Sequence, residues 1–130
     1  MTPEEFVSRY AQAWERWDRE DFLDLFTEDV VYVVHPTEET VEGHDALRAY
    51  FRKEERAQGP VEVRMGDPIA LGGRVAAEFW VTSTMEAAEP VTIVGCLLAR
   101  LDPGDGRCSH FREYWFEMAG RATPFTGWGA

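Results

Sequence analysis

The chain of 130 residues contains only two cysteines, Cys96 and Cys108, and neither belongs to a C-x-x-C pair. Two thiols are too few for a disulfide framework, so we expect both to be reduced and mainly structural. The three histidines, His35, His44 and His110, are scattered without the spacing of metal ligands. The sequence therefore predicts no metal site and no organic cofactor.

Basic residues are also scarce, because 13 lysines and arginines stand against 24 acidic residues and give a net charge of -11. The acidic residues are spread along the chain and would repel phosphate backbones and anionic lipid surfaces. No apolar run approaches the roughly 20 residues that span a bilayer, and the start Met-Thr-Pro-Glu-Glu-Phe lacks a basic segment followed by an apolar one. We expect a cytoplasmic protein that binds neither nucleic acid nor membrane.

Apolar residues are plentiful, at 45% of the chain, and aromatic residues make up 13%. This composition is typical of a packed globule, and the length suits one ordinary core. We expect a single domain over residues 1–130.

Three helices are predicted in the first half of the chain. Thr2-Pro3-Glu4-Glu5 supplies a hydroxyl cap, a proline at the first helical position and an early carboxylate, which together begin a helix. Its apolar stripe consists of Phe6, Tyr10, Ala13, Trp14 and Trp17. A short second helix follows with Asp21 as its cap, and Gly43-His44-Asp45 leads into a third helix through about Arg56.

Strands dominate the remainder. The predicted strands are Val30 to His35, ending at Pro36, then Val61 to Ala70, Arg74 to Met85, Val91 to Asp102 and Cys108 to Met118. Gly72-Gly73 suits a two-residue hairpin, and residues 103–106 form another tight reversal. The expected fold is α+β, with a meander of long antiparallel strands and the helices segregated toward the front.

The strand from Val91 is apolar on both faces, so both faces need cover. Helices can cover only one face. The other face would expose a large apolar patch made of Val94, Cys96, Leu98, Tyr114 and Phe116. Because such patches mark interfaces, we predict a homodimer packed sheet against sheet.

Glu113, in the segment Ser-His-Phe-Arg-Glu-Tyr-Trp, is the main candidate for chemistry. If the last hairpin is centred near Gly104, Gly95 lies opposite Glu113 and Leu97 opposite Phe111, so Glu113 faces apolar neighbours. Such burial would raise the pKa of the carboxyl toward the range used in general acid or base catalysis. In a shifted register, Glu113 would instead meet an arginine or water at the sheet edge.

Four other candidate residues each have a functional interpretation and a purely structural one. Tyr32 could offer a hydroxyl to a ligand or be a core ring. His35 could shuttle protons or merely end a strand. Trp14 and Trp17 could be helix core, ligand platforms or both.

The strand after Gly73 presents Val75, Ala77, Phe79 and Val81 as an inner row, so Glu78 would face the dimer or solvent. With the register reversed, Glu78 would become a second pocket acid. The glycine-rich tail is unsuited to a strand, and Trp128 could fold across an opening or an interface.

Four segments, "FVSRYAQAW", "REDFLDLFTEDVVYVVHP", "EGHDALRAYF" and "HFREYW", occur in the order typical of the SnoaL-like branch of the nuclear transport factor 2-like superfamily, which the chain resembles. The resemblance implies a cone, in which a curved mixed or antiparallel sheet wraps around three N-terminal helices and encloses a deep apolar pocket, often in dimers. Members include ketosteroid isomerases, epoxide hydrolases, scytalone dehydratases and polyketide cyclases.

The resemblance also suggests roles for residues. It implies that Glu113 is the pocket acid, that Tyr10 stands where the isomerases have their oxyanion-binding tyrosine, and that His35 replaces their aspartate base. Phe79 and Val81 would stand in place of the hydrolases' arginine and aspartate, and Leu97 in place of the isomerases' second oxyanion donor. Neither reaction therefore carries over intact.

We predict a cofactor-independent enzyme of isomerase, cyclase or dehydratase type, acting on an apolar carbonyl-bearing or polycyclic metabolite. Glu113, Tyr10 and His35 would be catalytic. The substrate would contact Trp14, Trp17, Tyr32, Phe79, Leu97, Phe111 and Trp115. The alternative is a protein that binds an apolar small molecule without chemistry.

Overall fold

The computed structural model describes residues 1–38, 40–84 and 89–130. The helices are α1 (Pro3–Arg16), α2 (Arg19–Asp24) and α3 (Gly43–Gln58). The strands are β1 (Phe26–Val33), β2 (Thr40–Glu42), β3 (Val61–Met65), β4 (Ile69–Leu71), β5 (Arg74–Ser83), β6 (Val91–Leu101) and β7 (Cys108–Ala119). The predicted α+β class and the three early helices are confirmed.

Local capping sets the ends of the first two helices. The Thr2 hydroxyl accepts a hydrogen bond from the Glu5 N–H at 3.1 Å, and Pro3 occupies the first turn of α1. The cap of α2 is Asp18 and not Asp21 as predicted, because the Asp18 carboxylate accepts from the Asp21 N–H at 3.1 Å. This earlier cap lets α2 follow α1 after a sharp turn.

The sheet is mixed, in the order β2-β1-β7-β6-β5-β3, with β4 paired to β5. The predicted antiparallel meander is confirmed for β5, β6 and β7. The first strand begins at Phe26, earlier than predicted, and pairs with β7 in parallel. This pairing joins β1 and β2 to the meander in one open sheet, and neither β2 nor the pairing of β1 with β7 was predicted.

The strand expected over Val61 to Ala70 is divided into β3 and β4. Between them lie Gly66, Asp67 and Pro68, and the pairing register with β5 changes across this break. Proline lacks the N–H that a ladder requires, which accounts for the interruption. The Gly72-Gly73 hairpin is confirmed, since Leu71 pairs with Arg74. Met85, the predicted end of the next strand, lies outside the described residues.

The predicted register of the last hairpin is wrong by two residues. Leu97, not Gly95, lies opposite Glu113, and Gly95 lies opposite Trp115. The loop is not centred on Gly104, because the Asp102 N–H bonds to the Arg107 carbonyl at 2.7 Å and an irregularity follows Arg100. An even shift preserves the side-chain alternation of a strand, so Glu113 keeps the predicted face.

Gly95 is needed where the backbones of β6 and β7 come close together, and it does not make space for the Glu113 side chain. A Cβ atom added at Gly95 would lie 2.1 Å from the Tyr114 carbonyl oxygen and 2.8 Å from the Trp115 Cα. Strands β6 and β7 therefore approach too closely at this point for any side chain.

The helices cover the inner face of the sheet, where the row Val75, Ala77, Phe79 and Val81 is buried as predicted. Glu78 is exposed on the outer face, which excludes the reversed register. The tail crosses this outer face without forming a strand: the Trp80 indole N–H donates to the Ala122 carbonyl, and Trp128 packs edge-on against Trp80. The tail therefore covers part of the surface that the sequence left open.

The rest of the outer face remains partly apolar in the single chain. Tyr114 and Phe116 are 44% and 54% exposed, and Val94, Cys96 and Leu98 are half-buried. Cys96 and Cys108 are free thiols, as predicted.

We predict that Gly95→Ala lowers the free energy of unfolding by about 2 kcal/mol or more, because β7 would have to move to admit the methyl group. Urea denaturation followed by circular dichroism measures the loss. The matched control is Gly104→Ala, whose added Cβ would approach only the Asp102 side chain, at 3.2 Å. Equal stability of the two variants would contradict the close strand approach at Gly95.

Candidate functional site

A cavity with a volume of about 510 Å³ lies between the helices and the inner face of the sheet. Its walls are mainly aromatic and aliphatic. The aromatic lining residues are Tyr10, Trp14, Trp17, Phe22, Tyr32, Tyr50, Phe51, Phe79 and Trp115. The charged and amide lining residues are Glu38, Lys53, Glu54, Gln58, Glu113 and Glu117. A concave apolar site with few polar groups is typical of small-molecule binding.

Glu113 is the buried acid of this cavity. Its side chain projects from the middle of β7 and is only 6% exposed. The facing residue on β6 is Leu97, which is fully buried. The carboxyl group is therefore enclosed by apolar side chains, and the predicted orientation toward the hollow between sheet and helices is confirmed.

Two tyrosines hold one oxygen of this carboxyl group. The Tyr10 hydroxyl on α1 donates a hydrogen bond to Oε1 of Glu113. The Tyr32 hydroxyl on β1 donates to the same oxygen at 3.4 Å. In the part of the chain that the structure describes, Oε2 has no hydrogen-bond partner, so this oxygen is the one available to a ligand.

Burial raises the pKa of Glu113 from its ordinary value of 4.5 to about 7. The hydrogen bonds from Tyr10 and Tyr32 oppose this shift because they stabilise the charged form, whereas the negative charge of Glu54 adds to it. Both protonation states of Glu113 are therefore populated near neutral pH, as a general acid or base requires.

The pKa values of Tyr10, Tyr32 and Tyr50 are raised well above 10, in each case first by burial and then by the charge of Glu113. All three hydroxyls thus stay protonated near neutral pH. They can donate hydrogen bonds to a negative charge in the cavity.

Trp14 and Trp17 turn their rings to the cavity and anchor their N–H groups on the end of α3. The Trp14 indole donates to the Gln58 side chain at 2.9 Å, and that of Trp17 donates to the Gly59 carbonyl at 2.8 Å. Trp17 also ends α1 with φ 51°, a left-handed conformation that is rare for a bulky residue. Backbone strain of this kind is often found at functional sites.

The remaining predicted residues divide into two groups. Phe79 and Trp115 line the cavity, and the Trp115 indole is fixed by a 2.7 Å bond to the Val34 carbonyl. Leu97 and Phe111 are buried but do not line the cavity; Phe111 stacks on the Tyr32 ring at 4.5 Å.

His35 is not brought together with Glu113 and Tyr10. Its ring nitrogen Nδ1 contacts the Thr37 hydroxyl at 2.8 Å, and its ring packs edge-on against Trp115 outside the cavity lining. Strand β1 ends at Val33, so His35 lies in the following turn and not on the strand as predicted.

Helix α3 also contributes to the site, which was not predicted from the sequence. Tyr50, Glu54 and Gln58 all line the cavity. They are spaced four residues apart, which places them along one helical face. This spacing was visible in the sequence, but only the topology shows that the face meets the pocket.

Among the described residues, no group of histidine, cysteine, aspartate or glutamate side chains could hold a metal ion. No helix in that part of the chain is long and apolar enough to cross a membrane.

We predict that Glu113→Gln becomes more stable relative to wild type as the pH rises. Between pH 4.5 and about 7, the folded wild type holds a proton on Glu113 that the unfolded chain has already lost. The stability that this proton gives to wild type is therefore complete below pH 4.5 and is lost as the pH rises through about 7, whereas a glutamine does not titrate. The free-energy difference between Glu113→Gln and wild type should change by roughly 2 kcal/mol between pH 5 and pH 8, measured by urea denaturation. The control is Glu55→Gln, an exposed position on α3 outside the cavity lining. An equal change in this control would refute a buried titrating Glu113.

Comparisons with known proteins agree with the fold. SalBIII, an epoxide hydrolase/cyclase-like enzyme described as having a role in pyran ring formation in polyether salinomycin, is 23% identical, with 88% of this chain and 90% of that chain covered and a TM-score of 0.76. RV0760c from Mycobacterium tuberculosis is 19% identical, with 92% and 98% covered and a TM-score of 0.78. A second structure of RV0760c contains estradiol-17beta-hemisuccinate. An LEH-like epoxide hydrolase from M. tuberculosis is 22% identical, with 88% and 82% covered and a TM-score of 0.71.

Because these proteins are 19% to 23% identical to the chain, the comparisons show that they share its fold and nothing further about function. No curated protein sequence matches the chain. The SnoaL-like domain family matches residues 7–111, which is most of the chain. The chain therefore belongs to the SnoaL-like domain family and has the nuclear transport factor 2-like fold.

Proposed function

We propose that the protein is a cofactor-independent enzyme of isomerase, cyclase or dehydratase type, in which Glu113 transfers a proton on an apolar carbonyl-bearing or polycyclic substrate. The observation that carries the proposal is the buried carboxyl of Glu113, with a pKa of about 7, facing a cavity of about 510 Å³. A carboxyl group with this pKa can both accept and return a proton near neutral pH.

The two carboxylate oxygens suit different tasks. Oε1 is occupied by the hydroxyls of Tyr10 and Tyr32, which fix the orientation of the group. Oε2 then takes a proton from a substrate carbon next to a carbonyl, and the electron pair of the C–H bond moves toward the substrate oxygen. The proton returns to a different atom in an isomerisation.

The Tyr10 hydroxyl can change its hydrogen-bond acceptor during this step. While Glu113 is ionised, the Tyr10 hydroxyl donates to it. Protonation of Glu113 removes most of that attraction, and the developing negative charge is then on the substrate oxygen. Tyr10, which stays protonated because burial raises its pKa, can donate to that oxygen instead. His35 lies outside the cavity lining, so the proposal gives it no step.

Related proteins support the substrate class. SalBIII is described as an epoxide hydrolase/cyclase-like enzyme, and RV0760c accommodates estradiol-17beta-hemisuccinate, a polycyclic molecule. The aromatic walls of the present cavity suit such compounds.

The free thiols Cys96 and Cys108 fit a reducing compartment such as the cytoplasm.

A second candidate function is binding of an apolar small molecule without chemistry. It is favoured by the fact that both tyrosine hydroxyls nearest the acid are already bonded to Glu113, which leaves few free donors for a substrate. In this case Glu113 would anchor a ligand that is released unchanged.

We also propose a homodimer through the outer face of the sheet. Exposed Tyr114 and Phe116 lie opposite half-buried Cys96 and Val94 on this face, and half-buried Leu98 follows along β6. A second copy would remove this surface from water.

The enzymatic role is tested by deuterium exchange. Apolar cyclic ketones are incubated with the protein in heavy water, and mass spectrometry measures deuterium at the carbon next to the carbonyl. Glu113→Gln should lower the exchange rate by about 100-fold or more, the range of general acid-base catalysis. Glu55→Gln should retain the wild-type rate. An exchanging ketone whose rate stays within a few-fold in Glu113→Gln would exclude proton transfer by this residue.

The dimer is tested by light scattering. Wild type should have twice the mass of one chain at micromolar concentration, and Phe116→Glu should have the mass of one, because a charge would be buried in the interface. Ala49→Glu adds the same charge to an exposed position on α3 and should remain dimeric. A monomeric wild type would rule out the dimer.

A further inference from the structure

The ionisable side chains that line the cavity are predominantly carboxylic acids. Glu38, Glu54, Glu113 and Glu117 contribute carboxyl groups, and Lys53 is the single basic residue among the described lining residues. No carboxylate of these four forms a salt bridge within the described part of the chain. Glu54 accepts a hydrogen bond from the neutral Gln58 amide at 3.0 Å, so none of the four is paired with a cationic side chain there.

This charge acts on the buried groups of the cavity. Burial first, and then the charge of Glu54, raises the pKa of Glu113. The pKa of Tyr50 is raised by burial and by the charges of Glu113, Glu54 and Glu38, in that order. The carboxylates from the rim to the base of the cavity thus share one region of negative potential, which a positive ligand would relieve.

The walls suit a cation as well. Nine aromatic side chains line the cavity, and the face of an aromatic ring attracts a positive charge. The indole N–H groups of Trp17 and Trp115 are bonded to backbone carbonyls, which fixes these rings in place. Tyr50 adds a ring beside Tyr32, with 5.4 Å between the centroids.

Groups that would bind an anion are few. No arginine is among the described lining residues. The hydroxyls of Tyr10 and Tyr32 already donate to Glu113. Apart from Lys53 and the Tyr50 hydroxyl, a negatively charged ligand would meet carboxylates and the negative faces of rings, whereas a cation finds favourable contacts with both.

We propose that, among the apolar carbonyl-bearing or polycyclic compounds that fit the cavity, the site selects as substrates those that also carry a cationic nitrogen, a substituted ammonium group. The ammonium group lies between the ring of Tyr50 and the carboxylates of Glu54 and Glu113, and the apolar body packs against Phe79 and Ile93. The inference rests on the proposed function for the cavity being the active site.

The probe is a pair of isosteres, (4-hydroxyphenyl)trimethylammonium and 4-tert-butylphenol, which differ mainly in one positive charge. Isothermal titration calorimetry at neutral pH measures the affinity of each. The ammonium should bind about tenfold more tightly, within the range of cation–π and carboxylate contacts in a partly desolvated site.

Two neighbouring glutamates of α3 separate a cavity effect from the overall acidity of the chain. Glu54 lines the cavity, whereas Glu55 is exposed and does not. Glu54→Gln should reduce the preference for the ammonium about threefold or more, and Glu55→Gln should leave it unchanged, although both remove one negative charge.

An ammonium that binds no more tightly than the tert-butyl compound, or fails to bind, overturns the proposal, as does an equal loss in the two variants. The function of Glu113 is judged separately, by deuterium exchange on neutral ketones. Exchange that requires Glu113, together with no preference for the ammonium, would leave the enzyme proposal standing and remove only the cationic substrate class.

Discussion

The site depends on the burial of one carboxyl group at the point where three distant parts of the chain converge. Glu113 lies on β7, Tyr10 on α1 and Tyr32 on β1, and their side chains meet at Oε1. Burying a charged carboxylate costs free energy, and the two hydroxyls offset only part of that cost. The part of the cost that is not offset raises the pKa of Glu113 to about 7, so this carboxyl group titrates near neutral pH.

The surrounding architecture maintains this arrangement. Strand β7 pairs with β1 on one side and with β6 on the other, so the strand that carries Glu113 is held by backbone hydrogen bonds along both edges. Gly95 lets β6 approach β7 closely. It lies two residues before Leu97, the residue of β6 that is opposite Glu113. The helices then cover the inner face, and the aromatic rings of α1 and α3 line the cavity that the acid faces.

The two faces of the sheet have different tasks. The inner face forms the wall of the cavity, while the outer face carries the tail over Trp80 and leaves Tyr114 and Phe116 exposed. Because successive side chains of a strand point to opposite faces, Glu113 and its neighbour Tyr114 serve the cavity and the outer surface respectively. One short segment thus contributes to both the site and the surface proposed for dimerisation.

Much of the fold was predictable from local signals: the Thr2 cap, the apolar stripe of α1 and the Gly72-Gly73 hairpin. The direction of Glu113 was also predictable, and it survived a register error of two residues because the alternation of a strand has a period of two. The partners of Glu113 were not predictable in this way. Tyr10 and Tyr32 are separated from it by 103 and 81 residues, and the parallel pairing of β1 with β7 that brings Tyr32 close has no local signature. The sequence by itself determined the alternation of side chains along each strand and the apolar stripe of each helix, since both follow from short-range periodicity; only the tertiary structure decided which side chains reach the cavity and meet there, since that follows from how distant segments pack.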